Sequence, residues 1–170
     1  MIRENGPQTP SPRAKRIKIL FICHGNICRS TMAQFVMEDM INKKGLQDKV
    51  YVDSAATSTE EIGNPPHRGT VRKMNELGIP MRKHFAVRLT RTDYDKYDYL
   101  IGMDEWNYRN ILNIVGSDKD NKVSLLLDFT DRPGPIADPW YTNNFDKTYE
   151  DVAMGCEGLL LHILDKLNNL

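Results

Sequence analysis

The run IKILFIC, Ile17–Cys23, constrains the fold more than any other part of the chain. It has strand length, is rich in β-branched and aromatic residues, and reads as a strand buried on both faces of a sheet. Immediately after it comes HGNICR. From about residue 30 to 44 apolar side chains then recur at Ala33, Val36, Met37, Met40 and Ile41, the spacing of a helix face, and Gly45 closes the segment. The chain therefore starts with a strand, a tight loop and a helix.

The same alternation continues. VYVDSAA, 50–56, reads as a second short strand. A polar loop with Gly63, Asn64 and two prolines leads to a helix over 68–77 that Gly78 stops. In the second half, YDYLIGM (97–103) predicts a strand, 105–115 a helix and VSLLLDF (123–129) another strand. A loop through Pro133, Pro135 and Pro139 then precedes a final helix over 149–167, striped by Val152, Cys156, Leu159, Leu160, Ile163 and Leu167. Alternating strands and helices predict a three-layer α/β fold: a short, roughly four-stranded parallel sheet with helices on both faces. Ligands of such folds sit beyond the carboxyl ends of the strands, and the first strand ends at Cys23.

With 170 residues and 40% apolar content, residues 17–170 are expected to form one domain. The first sixteen residues, polar and with three prolines, lack the apolar stretch of a secretion signal and are expected to be a disordered tail. Lys plus Arg and Asp plus Glu are 23 each. A balanced chain of this kind argues against bulk attraction to nucleic acid or an anionic membrane, while leaving room for a small anion pocket. No apolar run approaches the roughly 18 residues needed to span a bilayer. Three cysteines, an odd number, suit free thiols in a reducing cytoplasm better than a disulfide framework.

The loop Cys23, His24, Gly25, Asn26, Ile27, Cys28, Arg29 has the makings of an anion site. Backbone N–H groups of a tight loop can turn inward as a nest, and the start of the following helix adds partial positive charge. Gly25 permits a backbone conformation closed to other residues. Arg29 brings a planar fork that grips two phosphate oxygens, where lysine would be a point charge. The same positive field favours thiolate at Cys23, and a thiolate beneath a bound phosphate is an in-line nucleophile. Taken alone, Cys23 would read as a buried strand-end thiol; the spacing to Arg29 at a strand–helix junction is what favours catalysis. A Walker-type nucleotide loop is excluded, because no Gly-Lys-Ser/Thr follows. Cys28 is either a buried spacer or a redox partner of Cys23, and Cys156 falls on a helix stripe as a core residue.

On these residues the chain resembles the low-molecular-weight protein-tyrosine phosphatases. CHGNICRS is similar to their phosphate-binding signature, and DSAATST with GNPPH after it, MDEWN (103–107) and ADPWY (137–141) follow in the family's order. The resemblance implies Cys23 as nucleophile, Arg29 as phosphate clamp and Asp138 as general acid. It further implies that Asn26, Ser54 and His84 hold the loop and that Ser30 bonds the thiolate. The substrate implied is a phosphotyrosine-containing protein, a tyrosine kinase among the candidates, with no metal or cofactor. Chemistry asks for the acid independently, since protonating a departing tyrosine oxygen is worth a factor of about 10²–10⁴. Beside Asp138, Trp140 and Tyr141 are placed to wall a slot for the substrate ring, although Asp-Pro-Trp alone would read as a loop turn with an aromatic anchor.

The chain also departs from the family pattern. His24 replaces a small or aliphatic residue and sets a titratable group beside the thiolate; Thr31 replaces proline; HFAVRLT differs after the family's histidine. Glu60 stands about where many relatives place a cleft-lining aromatic, and an acid there is expected to disfavour acidic phosphopeptides. Three rivals are weighed against phosphotyrosine hydrolysis. Arsenate reduction needs relay cysteines, and none lies between Cys28 and Cys156. Protein-arginine phosphatases carry threonine at the position of Ile27. A non-catalytic phosphate-binding module needs neither a thiolate nor an acid.

Overall fold

Alternation along the strands sorts the core into two layers, one on each side of a parallel sheet. The computed structural model describes residues 16–169. The expected tail therefore lies, except for Arg16, outside the described residues. Strand β1 (Ile17–Cys23) is central, flanked by β2 (Val50–Ala56) and β3 (Tyr99–Gly102), with β4 (Val123–Leu125) beyond β3. All pairings are parallel, Cys23 lying opposite Ala56 and Leu20 opposite Leu100.

Ile19, Phe21 and Cys23 of β1 face one layer, with helices α1 (Arg29–Lys43), α2 (Arg68–Leu77) and α6 (Phe145–Asn168) over them. Leu20 and Ile22 face the other, where α3 (Asp93–Lys96) brings Tyr94 and α4 (Glu105–Val115) brings Ile111 and Val115. Phe21, Phe35, Met32 and Met37 are fully buried, each worth roughly 1.5–3 kcal/mol relative to exposure. This is the three-layer α/β arrangement expected, with four strands.

Several boundaries differ from the expected ones. The strand expected over 123–129 ends at Leu125, and a 3-10 turn, Leu126–Phe129, follows. The Asp128 carboxylate accepts from the Leu125 N–H and folds the chain back, burying Leu126 and Leu127 against α6. Gly158 of α6 allows that approach, since a Cβ there would lie 2.2 Å from the Phe129 carbonyl oxygen. The final helix starts at Phe145 rather than 149, because the Asn144 side chain accepts from the Lys147 N–H and caps it. Within the proline-rich loop a four-residue helix, α5 (Pro139–Thr142), forms behind Asp138 as its N-cap. Helix α2 keeps its expected bounds, closed by Gly78 in the left-handed conformation, φ 65°.

Candidate active site

The loop between β1 and α1 is tied outward through its carbonyls. The Cys23 carbonyl accepts from the Thr57 N–H (3.0 Å) and the His24 carbonyl from the Ser58 N–H (3.0 Å). The Ile27 carbonyl accepts from the His67 N–H (2.8 Å). The Cys28 carbonyl takes hydroxyls from Thr31 (3.0 Å) and Thr70 (3.1 Å), so the threonine found in place of proline anchors the loop. With these carbonyls turned away, the N–H groups of His24 to Cys28 have no protein acceptor among the described residues. That is the donor geometry of an anion nest at a helix start.

Asn26 has a left-handed backbone, φ 59°, and every bond its amide can make is taken up. Its Nδ2 donates to Ser30 Oγ (2.8 Å) and Ser54 Oγ (2.9 Å). Its Oδ1 accepts from the Val87 N–H (3.2 Å) and His84 Nε2 (2.8 Å). Ser54 in turn donates to Gln34 Oε1. His84 Nδ1 faces Asp53 Oδ1 at 3.5 Å, and burial holds this histidine below its ordinary range despite that carboxylate. Ser30 Oγ lies 3.1 Å from Cys23 Sγ; having accepted from Asn26, it has its own hydrogen to offer to sulfur. The four residues expected to support the loop thus form one buried network.

Arg29 opens α1, fully buried, and its guanidinium is aimed by other chain segments. Its Nη1 donates to Asp104 Oδ2 (2.6 Å) and to the Ile136 carbonyl (2.9 Å), and its Nη2 to Asp138 Oδ2 (3.4 Å). Nε is buried with no partner. The Nη1 edge is therefore occupied, while the edge formed by Nε and Nη2 keeps the paired donors that match two phosphate oxygens. Burial opposes the Arg29 charge, yet Cys23, Asp104 and Asp138 outweigh it and hold the guanidinium above its ordinary range. Asp138 Oδ1 accepts from the Trp140 N–H (3.0 Å), which leaves Oδ2 as the oxygen facing Arg29.

Cys23, Gly25, Ile27 and Cys28 floor a single cleft. Asp138, Trp140 and Tyr141, with His24, Glu60 and Glu61, complete its lining. His24 and Glu60, expected to act separately, are paired at 3.0 Å. The three thiols are free and differ in setting. Burial and the neighbouring Cys23 push Cys28 up to about 12, and burial among apolar side chains raises Cys156 further.

Other residues of the site carry no expectation from the sequence. Asp104 caps α4 with one oxygen and holds Arg29 with the other. It lies in the MDEWN stretch at the end of β3, the same sheet edge as Cys23, which is the signal that marks it. Gln34 is a polar side chain on a helix face packed into the core and has no local signature. Gly25 does not take the glycine-only backbone expected of it, since the left-handed position of the loop falls on Asn26; its missing side chain instead allows close approach of the cleft wall, a Cβ there lying 3.3 Å from the Glu61 side chain.

Residues 18–169 match the family described as low molecular weight phosphotyrosine protein phosphatase. The Bacillus subtilis low molecular weight protein-tyrosine-phosphatase YfkJ is 38% identical over 149 residues, covering 86% of this chain and 96% of that protein. Staphylococcus aureus PtpA, of the same description, is 34% identical over 152 residues, covering 89% and 97%. The YfkJ crystal structure superposes with a TM-score of 0.87 at 36% identity over 91% of this chain and 98% of that one. The Drosophila arginine phosphatase DARP superposes at 0.78 with 28% identity, over 86% and 98%.

Proposed function

The chain belongs to the low molecular weight phosphotyrosine protein phosphatases, and from that premise we propose that it hydrolyses phosphotyrosine in proteins through a phosphocysteine at Cys23. The thiolate of Cys23 attacks phosphorus as the bond to the tyrosine oxygen breaks, and Asp138 gives that oxygen its proton. Water then attacks the phosphocysteine, the Asp138 carboxylate takes a proton from it, and the S–P bond breaks to release inorganic phosphate and restore the thiolate. Through both steps the loop N–H groups and the Nε–Nη2 edge of Arg29 hold the equatorial oxygens, where charge gathers in the transition state. Ser30 donates to the sulfur whenever it carries charge.

The observation that carries this reading is the meeting of three groups at one cleft. Cys23 and Asp138 line it together, and Arg29 reaches Asp138 at 3.4 Å from the far end of the Cys23 loop. Ile27, a branched apolar side chain on the floor, favours an aromatic phosphoester over the phosphoarginine of the Drosophila neighbour's name. A phosphorylated tyrosine kinase is among the fitting partners, and free thiols fit a reducing cytoplasm. No helix among the described residues is long and apolar enough to cross a membrane.

The test compares phosphotyrosine, phosphoarginine and phosphoserine peptides on the purified protein in EDTA. Phosphotyrosine is expected to be turned over fastest, and Cys23→Ser to abolish turnover while still binding phosphate. Faster release from phosphoarginine would overturn the substrate assignment, and substantial turnover by Cys23→Ser would overturn the mechanism.

A further inference from the structure

His67, the last residue of the GNPPH stretch, lies between the two catalytic segments and belongs to neither. Its backbone N–H donates to the Ile27 carbonyl of the phosphate loop (2.8 Å). Its Nδ1 accepts from the Gly69 N–H (2.9 Å), which caps α2 and leaves the neutral ring's proton on Nε2. The imidazole stacks on Phe145 at the start of α6, with centroids 5.2 Å apart and planes inclined by 20°. It meets Trp140 edge-to-face at 5.8 Å and 79°. Gly69 makes the stack feasible, since a Cβ there would lie 2.3 Å from the Phe145 ring.

The other end of this contact is the general acid. Trp140 supplies the N–H that holds Asp138 Oδ1, and both sit on α5, whose four residues are too few for internal hydrogen bonds to fix its position. The Trp140 side chain is 57% exposed, so the protein contacts its ring does make carry much of its placement. Asn143, left-handed at φ 56°, ends α5 and hands the chain to Asn144 and Phe145. The segment carrying the acid is thus held at both ends by the aromatic group Trp140, His67 and Phe145.

We infer that His67 is a positioning residue for the general acid: its ring buttresses Trp140, and its backbone ties that support to the phosphate loop. The inference rests on the reading of Asp138 as the acid. Two side-chain functions separate cleanly by substitution. His67→Asn keeps an N-cap acceptor for α2 and removes the ring. His67→Phe keeps a ring and removes the acceptor.

The experiment measures kcat and KM on a phosphotyrosine peptide and on nitrophenyl phosphate, whose leaving group needs little proton help, with Asp138→Ala run in parallel. His67→Asn is expected to lower kcat on the peptide by about tenfold, a part of the roughly 10²–10⁴ that a general acid supplies. Its nitrophenyl phosphate kcat, both KM values and its Tm should change little. His67→Phe is expected to lose Tm and keep the wild-type ratio of the two kcat values. If Asp138→Ala slows both substrates equally, the acid assignment fails, whatever His67 does. If Asp138→Ala is selective but His67→Asn slows both substrates alike, or neither, the positioning role is overturned.

Discussion

In the loop and helix beneath the cleft every residue from Asn26 to Met37 is buried, and the one left-handed side chain there, Asn26, makes four hydrogen bonds. On the rim Trp140 is 57% and Tyr141 84% exposed, and the Glu60 side chain, 68% exposed, has a hydrogen bond to His24. The floor is over-determined and the rim is loosely held. Phosphoryl transfer needs donors fixed to a fraction of an ångström, whereas choosing among peptides needs only a surface with the right charge and shape. Changes at Glu60 and Tyr141 can therefore alter peptide choice without disturbing the chemistry beneath, whereas Trp140 is bound to that chemistry through the N–H it gives to Asp138.

Substitutions on the floor should therefore cost far more than substitutions on the rim, and the sharpest is at the clamp. Arg29→Lys keeps the charge and loses the planar fork; kcat is expected to fall by about 10²–10³, as for the loss of a transition-state donor. A loss of only a few-fold in steady-state assays would mean that the loop N–H groups bind the phosphate unaided. Next comes Asn26. Asn26→Ala strands buried partners at about 1–3 kcal/mol for each unsatisfied group and keeps a β-carbon in the left-handed region without the polar side chain that lets asparagine adopt it. Asn26→Gly removes the same bonds without that strain. Denaturation should show both variants destabilised, Ala more than Gly; equal values would say that the backbone conformation is not the costly part.

Rim changes should leave stability within about 0.5 kcal/mol. Glu60→Lys is expected to shift KM by a few-fold in favour of peptides with acidic flanks, read from a pair of peptides differing only in flanking charge. Identical KM ratios in wild type and variant would show that the charge at position 60 does not reach the flanks of the bound peptide. The smallest effect is in pH. His84 and His67 are both held low, chiefly by burial, so the folded protein resists protonating them while the unfolded chain takes up those protons near pH 6.5. Above that value these groups do not bear on stability. As pH falls below it the unfolded state gains, so Tm should drop, and His84→Gln should make the drop shallower. An unchanged slope would remove His84 as a contributor.

Strand β1, the loop and α1 were readable because a buried strand, an anion loop and a helix start all depend on neighbouring residues. The same local logic failed at Leu126, where VSLLLDF is an unbroken apolar run that periodicity cannot divide between sheet and turn. The division came from α6, whose Gly158 admits the turn. The N-cap at Asn144 was local and legible in principle, but Tyr149 begins the clearer apolar stripe and drew the boundary four residues late. Within the site, Cys23, Arg29 and Asp138 followed from chemistry and family likeness. Asp104, Gln34 and the pairing of Glu60 with His24 did not, because each depends on which distant segment ends up alongside.

The most direct test of the account is to trap the intermediate. Asp138→Ala, quenched in acid during turnover of nitrophenyl phosphate and digested, should yield the peptide containing Cys23 with one added phosphoryl group, absent from the Cys23→Ser, Asp138→Ala double variant. A phosphoryl group recovered on any other residue, or persisting in the double variant, would contradict it.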